Sequence, residues 1–330
     1  MRSPGDIEVL RATGGLSPDI VGLVREPRGF QRADNGAYFV FDRRGHTVWR
    51  ADRAGGPARK LVEIGGEQGR VLEPSAFDVA PDGTFVLADA PNRRERIQVF
   101  SPAGERLGGF ALPGRVTPRV SVGGQALDGV GTLAFLGDGL LLNQPETGGL
   151  FTVYGLAGTP VRTIGRLRAT GHEADRQLHL ALNAGMPLVD PAGGYYFVFM
   201  TGPPVFRKYD QEGRLVFERL MQGRELDPLV AALPDVWPRR TLDGDEIPLV
   251  VPTVLAAAVS PSGELWVSFN SPFTYVFDAR GDKIRTVQFR GAGMVMPTSL
   301  SFTATGRLLV TPGCYEFDPR PGRPAPGALD

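Results

Sequence analysis

Oxygen-bearing side chains recur at one position of a repeated pattern, directly after short apolar runs. Asp42, Asp89, Asn143 and Asn270 occupy equivalent places, and Met200 and Thr311 stand at two further ones. Carboxylate and amide oxygens are the ligands that a hard cation such as calcium prefers. One interpretation is a metal site that includes Asp89, Asn143 and Asn270. The other is that these side chains cap tight turns, as Asp and Asn commonly do.

Histidine is scarce, and two of the three histidines lie in one segment. His172 and His179 are separated by about two helical turns, so they could share one helix face. Together with Glu173 or Asp175 they could hold a metal ion. The alternative is a solvated or hydrogen-bonded pair, because the spacing matches no compact zinc motif.

Nucleophilic catalysis is not expected from this sequence. It contains no Ser-His-Asp order, nucleophile elbow, phosphate loop or zinc signature. Cys314 is the only cysteine, so an intrachain disulfide is impossible, and no histidine lies close to it in sequence. The catalytic residues of any enzymatic activity therefore stay unassigned.

Composition excludes several classes of partner. The 330 residues carry 36 basic and 36 acidic side chains, which gives no electrostatic footprint for nucleic acid. The longest apolar stretch, Leu249–Val259, is broken by Pro252 and is far shorter than the roughly 20 residues that span a bilayer. The opening residues lack the apolar core of a signal peptide. We expect no transmembrane segment and a monomer.

The elements that position these side chains are best seen between Phe77 and Phe110. Asp82-Gly83 and Ala103-Gly104 separate apolar runs, and Asp-Gly between such runs is a strong hairpin signal. The segment is predicted to be an antiparallel meander of four strands. The strands are Ala76–Val79, Thr84–Ala88, Arg96–Phe100 and Glu105–Ala111.

The same pattern recurs along the chain with two glycine turns in each repeat. The first turns contain Gly36, Gly83, Gly139, Gly194, Gly263 and Gly306. Periods near 40–50 residues with four strands each are typical of propeller blades. The predicted blades are roughly residues 27–73, 74–112, 129–165, 184–221, 252–290 and 297–318 together with 5–12. We predict a single all-β domain, a six-bladed β-propeller. Ile7–Ala12 is predicted to complete the last blade beside Cys314–Phe317, which closes the ring.

The strand after each first turn is almost continuously apolar. The runs are Tyr38–Phe41, Phe85–Ala88, Leu140–Leu142, Tyr195–Met200, Leu265–Phe269 and Leu308–Val310. In a sheet with one solvent-exposed face, apolar and polar residues would alternate along each strand. Both faces of these strands are therefore expected to be covered.

The second repeat resembles the NHL-type repeat of six-bladed propellers. The resemblance lies in Leu72–Val79 with the following Asp-Gly, in Ala88–Arg93 and in Gln98–Phe100. The whole chain is similar to bacterial six-bladed propeller proteins, many of them exported. The resemblance implies the fold and suggests an extracytoplasmic location, for which a leader would have been trimmed ahead of Met1. It implies no activity, because this fold hosts lactonases, lyases, scaffolds and binding modules.

A calcium-dependent alternative comes from a second resemblance. A ring of Asp and Asn ligands would be similar to the gluconolactonase and regucalcin group, which implies a lactonase-type hydrolase or lyase at the central channel. That group also has a glutamate at the start of a first strand. Here Glu26 and Glu73 precede prolines, which places them in loops.

Three long insertions connect the end of one predicted blade to the next. They are Pro113–Asp128, Arg166–Asn183 and Gln222–Pro252. Such connections share one face of a propeller, and long loops in a compact domain are often functional. Helical spacing within Glu173–Leu182, and Asp227 as the N-cap before Pro228, predict two short helices in them.

Two further groups of residues are candidates for ligand binding. Arg28, Ser75, Thr253 and Thr298 begin predicted inner strands and are expected to face the channel. Arg28 could hold an anionic ligand through its fork of donors, or it could be neutralised by Glu26 or Glu73. The longest insertion contains Trp237, Arg239 and Arg240, which are residue types enriched at binding hot spots. The alternative is that the tryptophan packs against the domain and the charged side chains around it are solvated.

The sequence favours a binding module that meets a protein or small-molecule ligand at the face carrying the insertions. We expect no cofactor, with a calcium ion as the exception if the enzymatic alternative holds.

Overall fold

Most of the chain forms short β-strands. The computed structural model describes residues 7–112, 120–122, 125–127, 132–242 and 245–320. Within these residues, four successive meanders each form an antiparallel sheet of four strands. Sheet 1 contains Pro27–Arg32, Tyr38–Asp42, Thr47–Ala51 and Ala58–Lys60; sheet 2 contains Pro74–Val79, Phe85–Asp89, Arg96–Phe100 and Arg106–Ala111. Sheet 3 contains Leu133–Leu136, Gly139–Asn143, Gly149–Gly155 and Pro160–Arg166; sheet 4 contains Gly185–Val189, Tyr195–Phe199, Val205–Tyr209 and Leu215–Leu220.

The last two meanders are joined by the strand Ile7–Gly15. Sheet 5 contains Val254–Val259, Leu265–Phe269, Thr274–Phe277 and Lys283–Arg290, and sheet 6 contains Ser299–Phe302, Leu308–Thr311 and Tyr315–Phe317. Met294–Val295 pairs with the last strand of sheet 5. Within the described residues these strands and Ile7–Gly15 make one nine-stranded sheet.

The remaining elements are short. Glu63–Ile64 and Arg70–Val71 form a two-stranded ribbon. The helices in the described part of the chain are Pro18–Val21, Arg176–Ala181 and Asp227–Ala231, with 3-10 turns at Pro91–Arg93 and Pro145–Thr147. No helix in these ranges combines the length and the apolar character needed to cross a bilayer.

The meander predicted between Phe77 and Phe110 is confirmed. Its first turn is closed by a hydrogen bond from the Gly83 N–H to the Ala80 carbonyl, at 2.9 Å, with Gly83 at φ +88°. The Asp82 carboxylate accepts a hydrogen bond from the Thr84 N–H at 2.8 Å. Asp-Gly therefore forms the turn because the aspartate bonds its own backbone and glycine tolerates a positive φ.

The second strand of each of sheets 1 to 6 is buried throughout, as its continuous apolar run predicts. Tyr38–Asp42, Phe85–Asp89, Gly139–Asn143, Tyr195–Phe199, Leu265–Phe269 and Leu308–Thr311 contain only buried residues. Both faces of these strands are covered.

The described residues divide into two compact units, each with sheets that share apolar cores. One unit holds residues 7–63, Val79–Thr84 and 255–320, and the other holds Ile64–Asp78 and Phe85–Val254. In the first unit one cluster contains side chains of sheets 5 and 6, and another contains side chains of sheets 6 and 1. In the second unit, sheets 2 and 3 share one cluster and sheets 3 and 4 share another. Sheet-to-sheet packing is thus the source of the core within each unit.

The N-terminal strand pairs beside the last strand, as predicted, but it does so through residues 12 to 15. Ala12, Gly14 and Gly15 pair antiparallel with Phe317, Glu316 and Tyr315. Residues 7 to 11 instead run parallel to Thr286–Arg290 of sheet 5. The prediction that Ile7–Ala12 as a whole lies beside Cys314–Phe317 was therefore wrong in detail, because this strand has two neighbours. The predicted residues 5 and 6 lie outside the described residues.

Candidate functional site

The first and third insertions contribute strands to one additional sheet. Val120–Val122 and Gln125–Leu127 come from the first insertion, and Arg239–Leu242 and Asp245–Val250 come from the third. Together they form a four-stranded sheet within the described residues. Its central pairing is parallel and joins Ser121 to Leu249 and Val122 to Val250. We call it the insertion sheet.

The second insertion supplies the helix Arg176–Ala181, which packs against the insertion sheet. Leu178, Ala181 and Leu182 form a buried cluster with Val250, and Trp237 packs against this cluster. The predicted helix in Glu173–Leu182 is confirmed. We use the name cap for the described residues of the three insertions, since they pack together.

The cap is anchored to sheet 4 by Arg168 and by buried polar side chains. The Arg168 guanidinium donates hydrogen bonds to the carbonyl oxygens of Leu182, at 2.7 and 3.0 Å, of Pro203, at 3.2 Å, and of Thr201. It also lies 4.3 Å from the centre of the Phe199 ring. Burial lowers the pKa of Arg168 to about 10, and the Arg207 guanidinium acts in the same direction. Arg168 therefore keeps its charge at neutral pH.

Two further buried residues complete this anchor. The Asn183 side chain accepts a hydrogen bond from the Arg168 N–H at 2.8 Å and donates to the His179 carbonyl at 3.0 Å. The Thr201 hydroxyl donates to the Ala181 carbonyl at 2.7 Å. These bonds add to those of the Asn183 and Ala184 N–H groups, which donate to the Leu180 and Ala181 carbonyls at the end of the helix Arg176–Ala181.

Both histidines of the second insertion contact the Thr170 hydroxyl, His179 through its ring and His172 through its backbone N–H. The His179 Nδ1 lies 2.8 Å from the Thr170 hydroxyl and 4.0 Å from Glu173 Oε1, while the His172 N–H donates to the Thr170 hydroxyl at 3.2 Å. Glu173 accepts hydrogen bonds from the N–H groups of Thr170 and Gly171 at 2.7 and 3.2 Å. These backbone bonds, led by that from Thr170, lower the pKa of Glu173. Within the ranges that the structure describes, no three His, Cys, Asp or Glu side chains form a metal-binding group.

Trp237, Arg239 and Arg240 have different surroundings. Trp237 is half-buried against the cap cluster, Arg240 is exposed, and Arg239 forms an ion pair with Asp175. Partial burial raises the pKa of Asp175, but the hydrogen bonds from Arg239 and from the Leu178 N–H outweigh it, so the pKa is lowered overall. Arg239 also donates to the Glu246 carbonyl at 3.4 Å. Arg239 therefore joins the third insertion to the second.

The oxygen atoms of Asp42 and Asp89 accept hydrogen bonds from N–H groups. Asp42 is 1% exposed and accepts from the N–H groups of Arg25, Glu26 and Gly45, each at 2.9 Å. Asp89 accepts from the Leu72 N–H at 3.0 Å and from Arg96 at 2.8 and 2.9 Å. Both carboxylates thereby tie the loop before a first strand to the end of the second strand, which is the arrangement expected of turn caps.

Asn143 makes comparable contacts. Its side chain accepts a hydrogen bond from the Gly185 N–H at 3.2 Å and donates to the Leu150 carbonyl at 2.7 Å. Asn270 is half-buried. The Asn143 amide oxygen thus already has one hydrogen-bond donor, the Gly185 N–H.

The four polar residues that begin inner strands are engaged by neighbouring groups. Arg28 forms an ion pair with Glu26 at 2.9 Å, which is the predicted alternative to binding an anionic ligand. The Thr253 hydroxyl donates to the Gly202 carbonyl at 2.8 Å, and the Thr298 hydroxyl lies 3.0 Å from that of Thr311. The Ser75 hydroxyl lies 3.5 Å from the Ala88 carbonyl. Arg28 and Thr298 belong to one compact unit, and Ser75 and Thr253 to the other.

Sequence reasoning missed Arg168 and Asn183. Arg168 is one of many arginines, and its neighbours Leu182, Thr201 and Pro203 lie 14 to 35 positions away. Asn183 is fully buried, which a single polar residue after a helix does not reveal. The N-cap of the third helix was also predicted wrongly: it is Leu226, so Asp227 lies in the first turn, where its charge is favourable.

No protein-family model matches the chain, and no curated protein matches it. Solved structures do. The chain is similar to a streptogramin B lyase, with 9% identity, a TM-score of 0.52, and coverage of 87% of this chain and 76% of that one. It is similar to a protein of unknown function from Bacteroides caccae, with 12% identity, a TM-score of 0.52, and coverage of 83% and 85%.

A third similar structure is the WD40 β-propeller domain of Doa1. The identity is 9%, the TM-score is 0.50, and the alignment covers 94% of this chain and 97% of that domain. At such identities the likeness concerns the fold and not the activity, since propellers carry many functions. The chain therefore has an all-β propeller fold.

Proposed function

We propose that this protein is a six-bladed propeller of the NHL-like type that works as a non-enzymatic binding module. Its ligand, a protein or a small molecule, meets the cap. The observation that carries the proposal is the assembly of three separate insertions into one sheet with a packed helix. Binding residues occur disproportionately on connections that a rigid scaffold holds in place.

The cap is ordered by specific bonds, which supports a role beyond that of ordinary loops. Ordering each backbone residue costs about 1–2 kcal/mol of conformational entropy. Arg168 and Thr201 offset part of that cost through bonds between the cap and the loop after the second strand of sheet 4, and Asn183 does so through bonds within the second insertion. A preformed surface binds more tightly, because less entropy is lost when the ligand arrives.

The count of six blades is supported by the sheets. Four separate four-stranded sheets are followed by a nine-stranded one, and within the described residues the latter divides at Ile7–Gly15 into two further meanders. A crystal structure in which the chain closes with any other number of blades would contradict this count.

The contacts of Asp42, Asp89 and Asn143 favour binding over a calcium-dependent lactonase or lyase. Their oxygen atoms already accept hydrogen bonds from N–H groups. A calcium ion needs about six to eight oxygen ligands. The enzymatic alternative predicts a stoichiometric ion in the purified protein and a melting temperature that rises with calcium and falls with EDTA. The binding proposal predicts neither.

Site-specific photo-crosslinking tests the binding proposal. Val236 in the third insertion is 84% exposed, and Val161 on the last strand of sheet 3 is 69% exposed. A benzophenone amino acid is placed at one or the other position in cells that produce the protein, and adducts are identified by mass spectrometry. We expect a specific adduct, protein or small molecule, from position 236 and none from position 161. The same adducts from both positions, or none from 236, would contradict a binding role for the cap.

A further inference from the structure

Four arginines lie at one end of sheet 1, on two segments that hydrogen bonds hold together. Arg25 precedes the first strand and Arg28 lies at its start, while Arg43 and Arg44 lie in the turn after the second strand. We call them the arginine patch. None of them belongs to the cap, so a role for the arginine patch is independent of the proposed function.

The buried Asp42 carboxylate fixes the two segments relative to each other. It accepts hydrogen bonds from the N–H groups of Arg25, Glu26 and Gly45, each at 2.9 Å. The Arg43 N–H also donates to the Glu26 carbonyl at 3.1 Å. The backbone that carries all four arginines is therefore preorganised.

The patch carries more positive than negative charge on its surface. Glu26 binds both Arg28 and Arg43, at 2.9 and 2.8 Å. Partial burial by itself raises the pKa of Glu26, but the hydrogen bonds from Arg43 and Arg28 outweigh this effect and lower the pKa overall. Glu26 is therefore charged at neutral pH. Asp42 is 1% exposed, and both of its carboxylate oxygens accept hydrogen bonds from backbone N–H groups. Arg25 and Arg44 are exposed, and neither has an ion-pair partner among the described residues.

Donors on the paired arginines also stay available. Arg28 uses only Nε toward Glu26, and its two terminal nitrogens donate no hydrogen bond within the described residues. Arg43 uses Nε and Nη2 toward the same carboxylate. Asp34 cannot neutralise these groups, because it lies in the turn at the opposite end of the first strand, about 20 Å away at 3.3 Å per residue.

We propose that the arginine patch is a docking surface for an acidic polypeptide segment. Guanidinium groups bind carboxylates through pairs of parallel hydrogen bonds, and clusters of arginine are a recurring means of recognising acidic motifs. A peptide fits better than a nucleic acid. The chain as a whole has no net charge, whereas nucleic-acid binding depends on a broad positive surface.

The test uses a fluorescent peptide of about ten alternating Asp and Glu residues, which is a short acidic motif of the kind that arginine clusters recognise. Binding is measured by fluorescence anisotropy at low salt. A peptide of Asn and Gln serves as the neutral control. The double variant R25Q/R44Q removes the two unpaired charges. The matched control R53Q/R59Q removes two exposed arginines from another part of sheet 1 and its neighbouring turn. Circular dichroism confirms that both variants keep the fold.

We expect the acidic peptide to bind and the neutral one not to. The affinity should fall at least about tenfold in R25Q/R44Q, because charge-assisted bonds are lost, and stay within about twofold in R53Q/R59Q. Binding should weaken as salt screens the charges. Absence of binding to the wild type, or an equal loss in both variants, would overturn the proposal. So would tighter binding of single-stranded DNA of the same length through Arg25 and Arg44.

Discussion

Arg239 donates a hydrogen bond from Nη2 to Oδ2 of Asp175, which is the N-cap residue of the helix Arg176–Ala181. The two residues are 64 positions apart and belong to different insertions. Asp175 also accepts a hydrogen bond from the Leu178 N–H at 3.2 Å. One carboxylate therefore starts the helix and fastens the insertion sheet to it.

This carboxylate gives the first prediction, a dependence of stability on pH. The folded-state pKa of Asp175 is below its usual 3.8, so the charged form stabilises the fold above that value. The contribution is lost as pH falls through the folded-state pKa. The difference in melting temperature between the wild type and Asp175→Asn should be constant from about pH 7 to pH 5 and shrink below about pH 4.

The size of this difference is small. Asp175 and Arg239 are each about a third exposed, so the pair should contribute less than about 1 kcal/mol. Asp235→Asn, an exposed change in the third insertion, is the control for removal of a carboxylate that the structure does not pair with Arg239. A difference for Asp175→Asn that grows on acidification would contradict the prediction.

The second prediction concerns the core between sheets 3 and 4. Leu141 is fully buried in their shared cluster, and Leu141→Ala should lower the free energy of unfolding by about 2–5 kcal/mol, because a cavity remains. Leu107 is 61% exposed, and Leu107→Ala should stay within about 0.5 kcal/mol. Urea titration measures both. Equal effects would mean that the cluster relaxes around the smaller side chain.

The third prediction concerns the Arg168 anchor. Arg168→Met leaves the carbonyls of Leu182, Thr201 and Pro203 without this donor, which should cost about 2–3 kcal/mol. Hydrogen exchange should accelerate in residues 176–182 more than in sheet 2. Arg224→Met changes an exposed arginine and should leave both measurements unchanged. Uniform acceleration across the chain would argue against a local role.

The fourth prediction concerns Gly15 in the N-terminal strand. Its φ is +143°, and a Cβ at this position would collide with the Cys314 carbonyl oxygen. Gly15→Ala should therefore cost at least about 1–3 kcal/mol. Gly55 has open space around it, so Gly55→Ala should be nearly neutral. If thermal unfolding finds the two variants alike, residues 12–15 do not hold this pairing in solution.

Local patterns predicted much of this fold, because a turn such as Asp82-Gly83 is encoded by the residues that form it. The insertion sheet could not be predicted in this way. Its central pairing joins Val122 to Val250, and nothing in either segment specifies the other. The parallel pairing of Ile7 with Thr286 was missed for the same reason.

The candidate site shows the same division between local and distant information. That Trp237 would be packed was one of two open alternatives, and the structure places it against the cap cluster. The partners of Arg168 come from three separate places in the chain, so only the folded molecule identifies it as an anchor. The role of Arg240 in binding stays a prediction.

The strand Ile7–Gly15, which joins sheets 5 and 6, also has a consequence for biosynthesis. Its partners, Thr286–Arg290 and Tyr315–Phe317, are synthesised long after it, so the strand must wait for them before it can pair. Until then its backbone donors and acceptors stay open to other chains. Nascent polypeptides stalled before residue 286 should therefore recruit chaperones, and release of the finished chain should end that dependence.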